Sequence, residues 1–281
     1  MKKNSKKSKN SWVNFILILM LIIGLSLLLY PPVSNYWNSF TQTRAISSYS
    51  DAVAKMENEE YRIELEKAQA YNQTLLGRQN PYLLSDEQRT EYNARLDITG
   101  SGIMGYIEIP CVNIMLPVYH GTSETILQVA VGHLDWSSLP AGGASTHCVL
   151  SGHRGLPSAR LFTDLDKMAV GDYFVLHVLD QTLTYEVDQI LVVEPQDTQA
   201  LLIEEGKDLC TLVTCTPYGV NSHRMLVRGH RIENIEEAKV VRVTADALIV
   251  DKLLVAPFVL APILLAMLVS LLIPKRKYSD D

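Results

Sequence analysis

The chain has 281 residues, 47% of them hydrophobic, with only 12 prolines and 15 glycines. That composition excludes a disordered or collagen-like chain and suffices for one core-bearing domain with appendages. The net charge is −6 at pH 7 and basic residues cluster at the two ends, in MKKNSKKSKN and KRK (275–277). The rest of the chain is therefore more acidic still, which excludes nucleic acid as a partner.

Residues 1–11 form a basic tail, and WVNFILILMLIIGLSLLLY (12–30) follows without a charge. As a helix this run would extend roughly 28 Å, close to the thickness of a bilayer core. It ends in Tyr30-Pro31-Pro32 with no small-x-small cleavage site, so it reads as a retained anchor rather than a signal peptide. A second uncharged run, LLVAPFVLAPILLAMLVSLLI (253–273), precedes a short tail at 274–281, and Pro257 and Pro262 predict a kink within it. Basic residues flanking a span stay on the cytoplasmic side. Both termini are thus expected in the cytoplasm, and residues 31–250 outside a cell membrane that the chain crosses twice.

Residues 31–76 are expected to form an extracellular helical segment. Within it, 42–75 is polar and rich in Ala, Glu and Lys, with apolar residues at three- and four-residue intervals. Residues 77–103 carry Gly, Asn-Pro and Thr-Gly-Ser-Gly breakers and read as a loop with a helical piece near DEQRTEYNARL. A loop of that length is a candidate lid. From residue 104 to 235 short apolar runs alternate with turns: GYIEIP, NIMLPVYHG, THCVLSGHR, DYFVLHVLD, QTLTYEVDQILVVEP, DLCTLVTCTP and RMLVRGHRI. Several alternate with period two, and Asp180-Gln181 marks a tight hairpin. Helical insertions are expected at 123–130 and 159–168, and a linker at 236–252. The pattern predicts a mostly β domain of about eight strands, closed or nearly closed into a barrel.

Cys111, Cys148 and Cys210 stand in apolar, strand-like surroundings and read as small buried residues rather than a disulfide framework. No metal-ligand spacing occurs and no organic cofactor is called for. Cys215 differs, because it closes the run CTLVTC immediately before Thr216-Pro217-Tyr218-Gly219, at a strand end where a side chain is both held and exposed. A thiol reacts as thiolate and needs a cation nearby. If 208–215 and 224–232 pair as an antiparallel hairpin, Arg224 emerges level with Cys215. Arg228 then lies roughly 13 Å further along the strand. Of the seven histidines, His153 in LSGHRGLPSARLF is the best acid–base candidate, since it follows an apolar strand and neighbouring glycines allow close backbone approach. A buried cysteine beside solvated basic residues fits composition and spacing equally well.

TLVTCTPYGVNSHRMLVRGHR, GYIEIP…LPVYHGTSE, VGHL, SGHRGLPSARLFTDLDKM and VGDYFV together resemble the class C sortases, the pilus-assembling membrane transpeptidases of Gram-positive bacteria. The resemblance runs from about Tyr71 to Ile232, and a span at each end also fits that class. It implies an eight-stranded sortase β-barrel, with Cys215 as nucleophile, His153 as general acid/base and Arg224 as the group holding substrate and oxyanion. It implies LPXTG-bearing pilins or surface proteins as substrates, cleaved between Thr and Gly and joined to a pilin lysine, or alternatively anchored to the cell wall. Val213, Thr214 and Thr216 flank the cysteine and are candidate substrate-lining residues.

Two other readings stay open. A C-terminal apolar run followed by KRK is also how a sorted surface protein ends, but TADALIVDK (244–252) contains no LPXTG-like pentapeptide. A papain-like thiol hydrolase would want an Asn or Asp orienting the histidine. The family commonly carries an Asp-Pro-aromatic motif before the barrel, whose acid pairs with the arginine while its ring covers the cysteine. This chain has no Asp-Pro; Asn80-Pro81-Tyr82 is the nearest match. A lid built on it would place Tyr82 over Cys215 and give Arg224 a neutral hydrogen bond from Asn80, about half as strong as a charged one.

Overall fold

The computed structural model describes residues 7–78, 80–235 and 262. Of these, residues 7–36 belong to one compact unit and 37–235 to another.

The first unit holds the start of α1 (Lys7–Val53), which contains Pro31 and Pro32 within its length. The uncharged run expected at 12–30 and the helical segment expected from residue 31 are thus joined in one continuous helix across the proline pair. From residue 37 on, α1 belongs to the second unit and is packed there. Ile46 and Tyr49 are fully buried in one cluster with Ile103 and Tyr106, Asn38 Nδ2 donates to Ser158 O, and Gln42 Nε2 donates to Val129 O. The segment Phe15–Val53 includes an 18-residue window of mean hydropathy 2.5, none of it buried, and is the one helix among the described residues long and apolar enough to cross a membrane. The second expected span, the 236–252 linker and the 274–281 tail lie outside the described residues, Pro262 excepted.

In the second unit, the single helix expected over 42–75 is two. α1 ends at Val53 and α2 spans Asn58–Leu75, restarted by a capping box in which Glu60 accepts from the Glu57 N–H at 3.0 Å. α2 buries Ala68, Tyr71 and Leu75, and its Asn72 side chain exchanges hydrogen bonds with both backbone groups of Leu139. α3 (Asp86–Ala94) starts at Ser85, which forms a capping box with Gln88. Its Tyr92 and the following Leu96 are buried in the main core. Residues 86–96 are therefore anchored to the body of the domain, and irregular backbone lies both ahead of Ser85 and at 97–102.

Eight strands close a barrel. They are β1 (Ile103–Ile109), β2 (Ile114–His120), β3 (Val131–His133), β4 (Thr146–Ser151), β5 (Tyr173–Val178), β6 (Gln181–Val193), β7 (Asp208–Thr216) and β8 (His223–Arg231), in the order β1-β2-β3-β4-β7-β8-β6-β5 with β5 returning to β1. β3 has three residues, too few to show a period, and the sequence runs gave no strand there. The β5–β6 hairpin turns on Leu179-Asp180, one residue earlier than expected, because Val178 pairs with Gln181. Leu179 takes a left-handed φ of 53°, and its N–H donates to the buried Tyr49 hydroxyl, which itself donates to Met104 O.

The helical insertion expected at 123–130 is the short α4 (Glu124–Leu127) followed by turns. At 159–168 only Leu165–Lys167 winds, as a 3₁₀ turn. Leu161, Phe162, Leu165 and Met168 are all buried, so the apolar spacing marks a core-facing chain of turns rather than a helix. All four cysteines are free. Cys148 and Cys210 are buried opposite one another on β4 and β7, whereas Cys111 is exposed, because the proline before it starts a 3₁₀ turn and takes the chain out of β1.

Candidate active site

β7 and β8 pair antiparallel with Cys215 opposite Arg224, the register expected from the sequence. β4 and β7 run parallel with Ser151 opposite Val213. His153 and Cys215 each stand two residues past that last pair, so the two strand ends carry them out at the same level. The ends are tied together: Gly152 N–H donates to Val213 O at 3.1 Å, and Thr214 Oγ1 donates to Gly152 O at 2.8 Å. A glycine is required at 152, since a Cβ there would lie 2.6 Å from the Phe162 ring. Thr214 is thus turned into the wall, where it holds the backbone of the histidine loop. Val213 is buried at the base of the cleft, and Thr216 is half-buried beside Arg154.

Arg224 is half-buried, and its Nη1 donates to Asn221 O and His223 O, which anchors the guanidinium at the strand end through neutral carbonyls. Its charge is not neutralised by those acceptors and remains available to an anion. Arg228 is spent otherwise. Its Nε and Nη2 donate to the two Asp188 oxygens at 2.9 Å each and its Nη1 to Glu204 at 2.9 Å. The hydrogen bonds from Arg228 to Asp188 hold its guanidinium still more firmly in the charged form.

A cleft of about 270 Å³ opens beside Arg224, with Val213 at its base and Thr122, Leu127, Trp136 and Thr198 among its walls. Tyr82 stands at this rim. Its ring meets Trp136 edge-on at 5.0 Å between centroids, and its hydroxyl accepts a 2.7 Å hydrogen bond from Thr198 Oγ1. The structure does not bring Asn80 to Arg224. Asn80 Oδ1 accepts from the Tyr82 N–H, a local turn contact. Pro81 lines a larger neighbouring cavity of about 590 Å³, which shares Trp136 and Leu201 with the cleft.

Sequence reasoning did not single out Arg154. Its side chain is 9% exposed, donates to Asp166 and Thr216, and lies 5.9 Å from the Tyr218 ring centroid, so it braces the turn after Cys215 against the loop after His153. The His-Arg dipeptide gave no sign of it, because spacing does not distinguish a buried arginine from a solvated one. No group of three or more His, Cys, Asp or Glu side chains suited to a metal occurs among the described residues. A thiol, an imidazole and a guanidinium without a carboxylate partner among the described residues stand at adjacent strand ends, and these are groups suited to acyl transfer through a thioester.

The chain matches the sortase domain over residues 107–232, and it belongs to the sortase family. Its solved structural relatives include class C enzymes. Sortase C1 from Streptococcus agalactiae is 53% identical, with 68% of this chain and 100% of that one covered at a TM-score of 0.67. Sortase C from Streptococcus pneumoniae, described with respect to pilin substrate specificity, is 46% identical, with 68% and 97% covered at a TM-score of 0.60. Sortase D of Bacillus subtilis is 30% identical over 131 residues, which are 46% of this chain and 63% of that protein.

Proposed function

We propose that the chain is a membrane-anchored cysteine transpeptidase of the pilus-assembling kind, which cleaves an LPXTG-like signal between Thr and Gly and transfers the acyl group to a pilin lysine. The observation that carries this reading is the pairing of Cys215 with Arg224 at the strand end beside His153. The Cys215 thiolate adds to the Thr carbonyl, and Arg224 balances the oxyanion that develops. Collapse expels the glycine amine, which takes a proton from the His153 imidazolium, and a thioester remains. The lysine amine then adds to the thioester and passes its excess proton to His153, and Cys215 leaves as thiolate while an isopeptide bond forms.

Val213 and Thr216 line the acyl position in this reading, with Thr214 supporting them from behind. Tyr82, braced on Trp136 and Thr198, is the lid element, and Pro81 sets its approach. The apolar stretch of α1 anchors the enzyme in the bilayer, with a second span at 253–273 and the barrel outside the cell. The pilin substrate specificity named for the pneumococcal relative supports pilins as the substrate class.

The test is capture by hydroxylamine. An LPXTG peptide should be converted to its threonyl hydroxamate when hydroxylamine is present, with little cleavage in its absence. Cleavage at the same rate with and without an amine would make the chain a thiol hydrolase instead.

A further inference from the structure

Given the reading of His153 as the acid–base group, we infer that Glu124 is a positioning residue for His153, holding the ring and balancing its charge during acyl transfer. His153 Nε2 is shielded from solvent and has no hydrogen-bond partner among the described residues. The carboxylate facing it is Glu124, whose Oε2 lies 3.9 Å away. At that distance no hydrogen bond is formed, and catalytic contacts commonly tighten only once substrate is bound.

Local structure aims the carboxylate. Glu124 opens α4 directly after Ser123, and its other oxygen, Oε1, accepts a 2.7 Å hydrogen bond from Gln128 Nε2 one turn on. Held by that bond, Oε2 is the oxygen turned toward the ring. Thr122 and Leu127, from the same short segment, line the cleft beside Arg224. One segment therefore contacts both the candidate base and the space a peptide would fill, which couples occupation of the cleft to the placement of the imidazole. Glu124 is 72% exposed, so a substrate lying over it would also remove it from water and strengthen its attraction for the imidazolium. The proton moves only between His153 and the amine.

The experiment measures single-turnover thioester formation on an LPXTG peptide with the full-length protein in detergent, for the parent, Glu124→Gln, Glu124→Asp and His153→Ala. Glu124→Gln should lower the maximal rate about fivefold, the scale of a partly exposed ion pair, with the half-saturating peptide concentration unchanged within about twofold. Glu124→Asp, which keeps the charge, should fall between the parent and Glu124→Gln. An unchanged maximal rate in Glu124→Gln, a parallel rise in half-saturation as expected from damage to the cleft wall, or equal losses in Gln and Asp variants would each overturn the inference. Normal activity in His153→Ala would instead overturn the reading of His153 itself.

Discussion

Cys215 and Arg224 are direct partners across the β7–β8 ladder, while Arg228, four residues along the same strand, pairs with Thr211 and is held by Asp188 and Glu204. The two arginines should therefore fail in different ways. Arg224→Ala should slow thioester formation on the order of 10²-fold or more, as for loss of an oxyanion donor, with unfolding little changed. Arg228→Ala should keep most of the activity but lose about 1–3 kcal/mol of stability in denaturant titration, because it leaves Asp188 half-buried without its partner. Loss of activity in Arg228→Ala with a stable fold would contradict this division.

Tyr82 rests on Trp136 and Thr198 rather than on an acid–arginine pair. Such a closure is shallow, so Tyr82→Ala should speed alkylation of Cys215 by iodoacetamide only a few-fold. Asn80 accepts from the Tyr82 N–H and does not reach Arg224. An aspartate would accept the same bond, and Asn80→Asp should leave the alkylation rate close to that of the parent. Alkylation slowed severalfold in Asn80→Asp would mean that residue 80 does engage the arginine.

His147 is buried, with Nδ1–H donating to Leu202 O at 2.8 Å and Nε2 accepting from Thr211 Oγ1 at 2.7 Å, bonds that a neutral ring satisfies. Burial lowers its pKa below the ordinary 6.5, and burial acts in the same direction on His120. A depressed pKa means that the unfolded chain binds protons the fold refuses. The contribution to stability is complete above about pH 6.5 and is lost as pH falls toward the folded value. The melting temperature should drop between pH 7.5 and pH 5.5, and by less in His147→Gln than in the parent. Equal drops would assign the acid sensitivity elsewhere.

The strand register around Cys215 was legible because one short connection joins two runs of clear period, which leaves little freedom for the pairing. The barrel's closure was legible only as a strand count, since neither the parallel β2–β3 and β4–β7 pairs nor the three-residue β3 leaves a local mark. The burial of Ile46 and Tyr49 against Ile103 and Tyr106 was not legible, because those partners are far away in sequence. The surroundings of Arg154 and Glu124 depend on which segments fold together, and no spacing within their own segments encodes that.

The central claim is that Cys215 carries the acyl group. Full-length protein mixed with an LPXTG peptide lacking an amine acceptor, quenched in acid and digested, should yield by mass spectrometry a peptide spanning Cys215 with the LPXT acyl mass added. The adduct should be absent in Cys215→Ala and released by hydroxylamine. Finding the acyl group on the exposed Cys111, or finding peptide cleavage intact in Cys215→Ala, would contradict it.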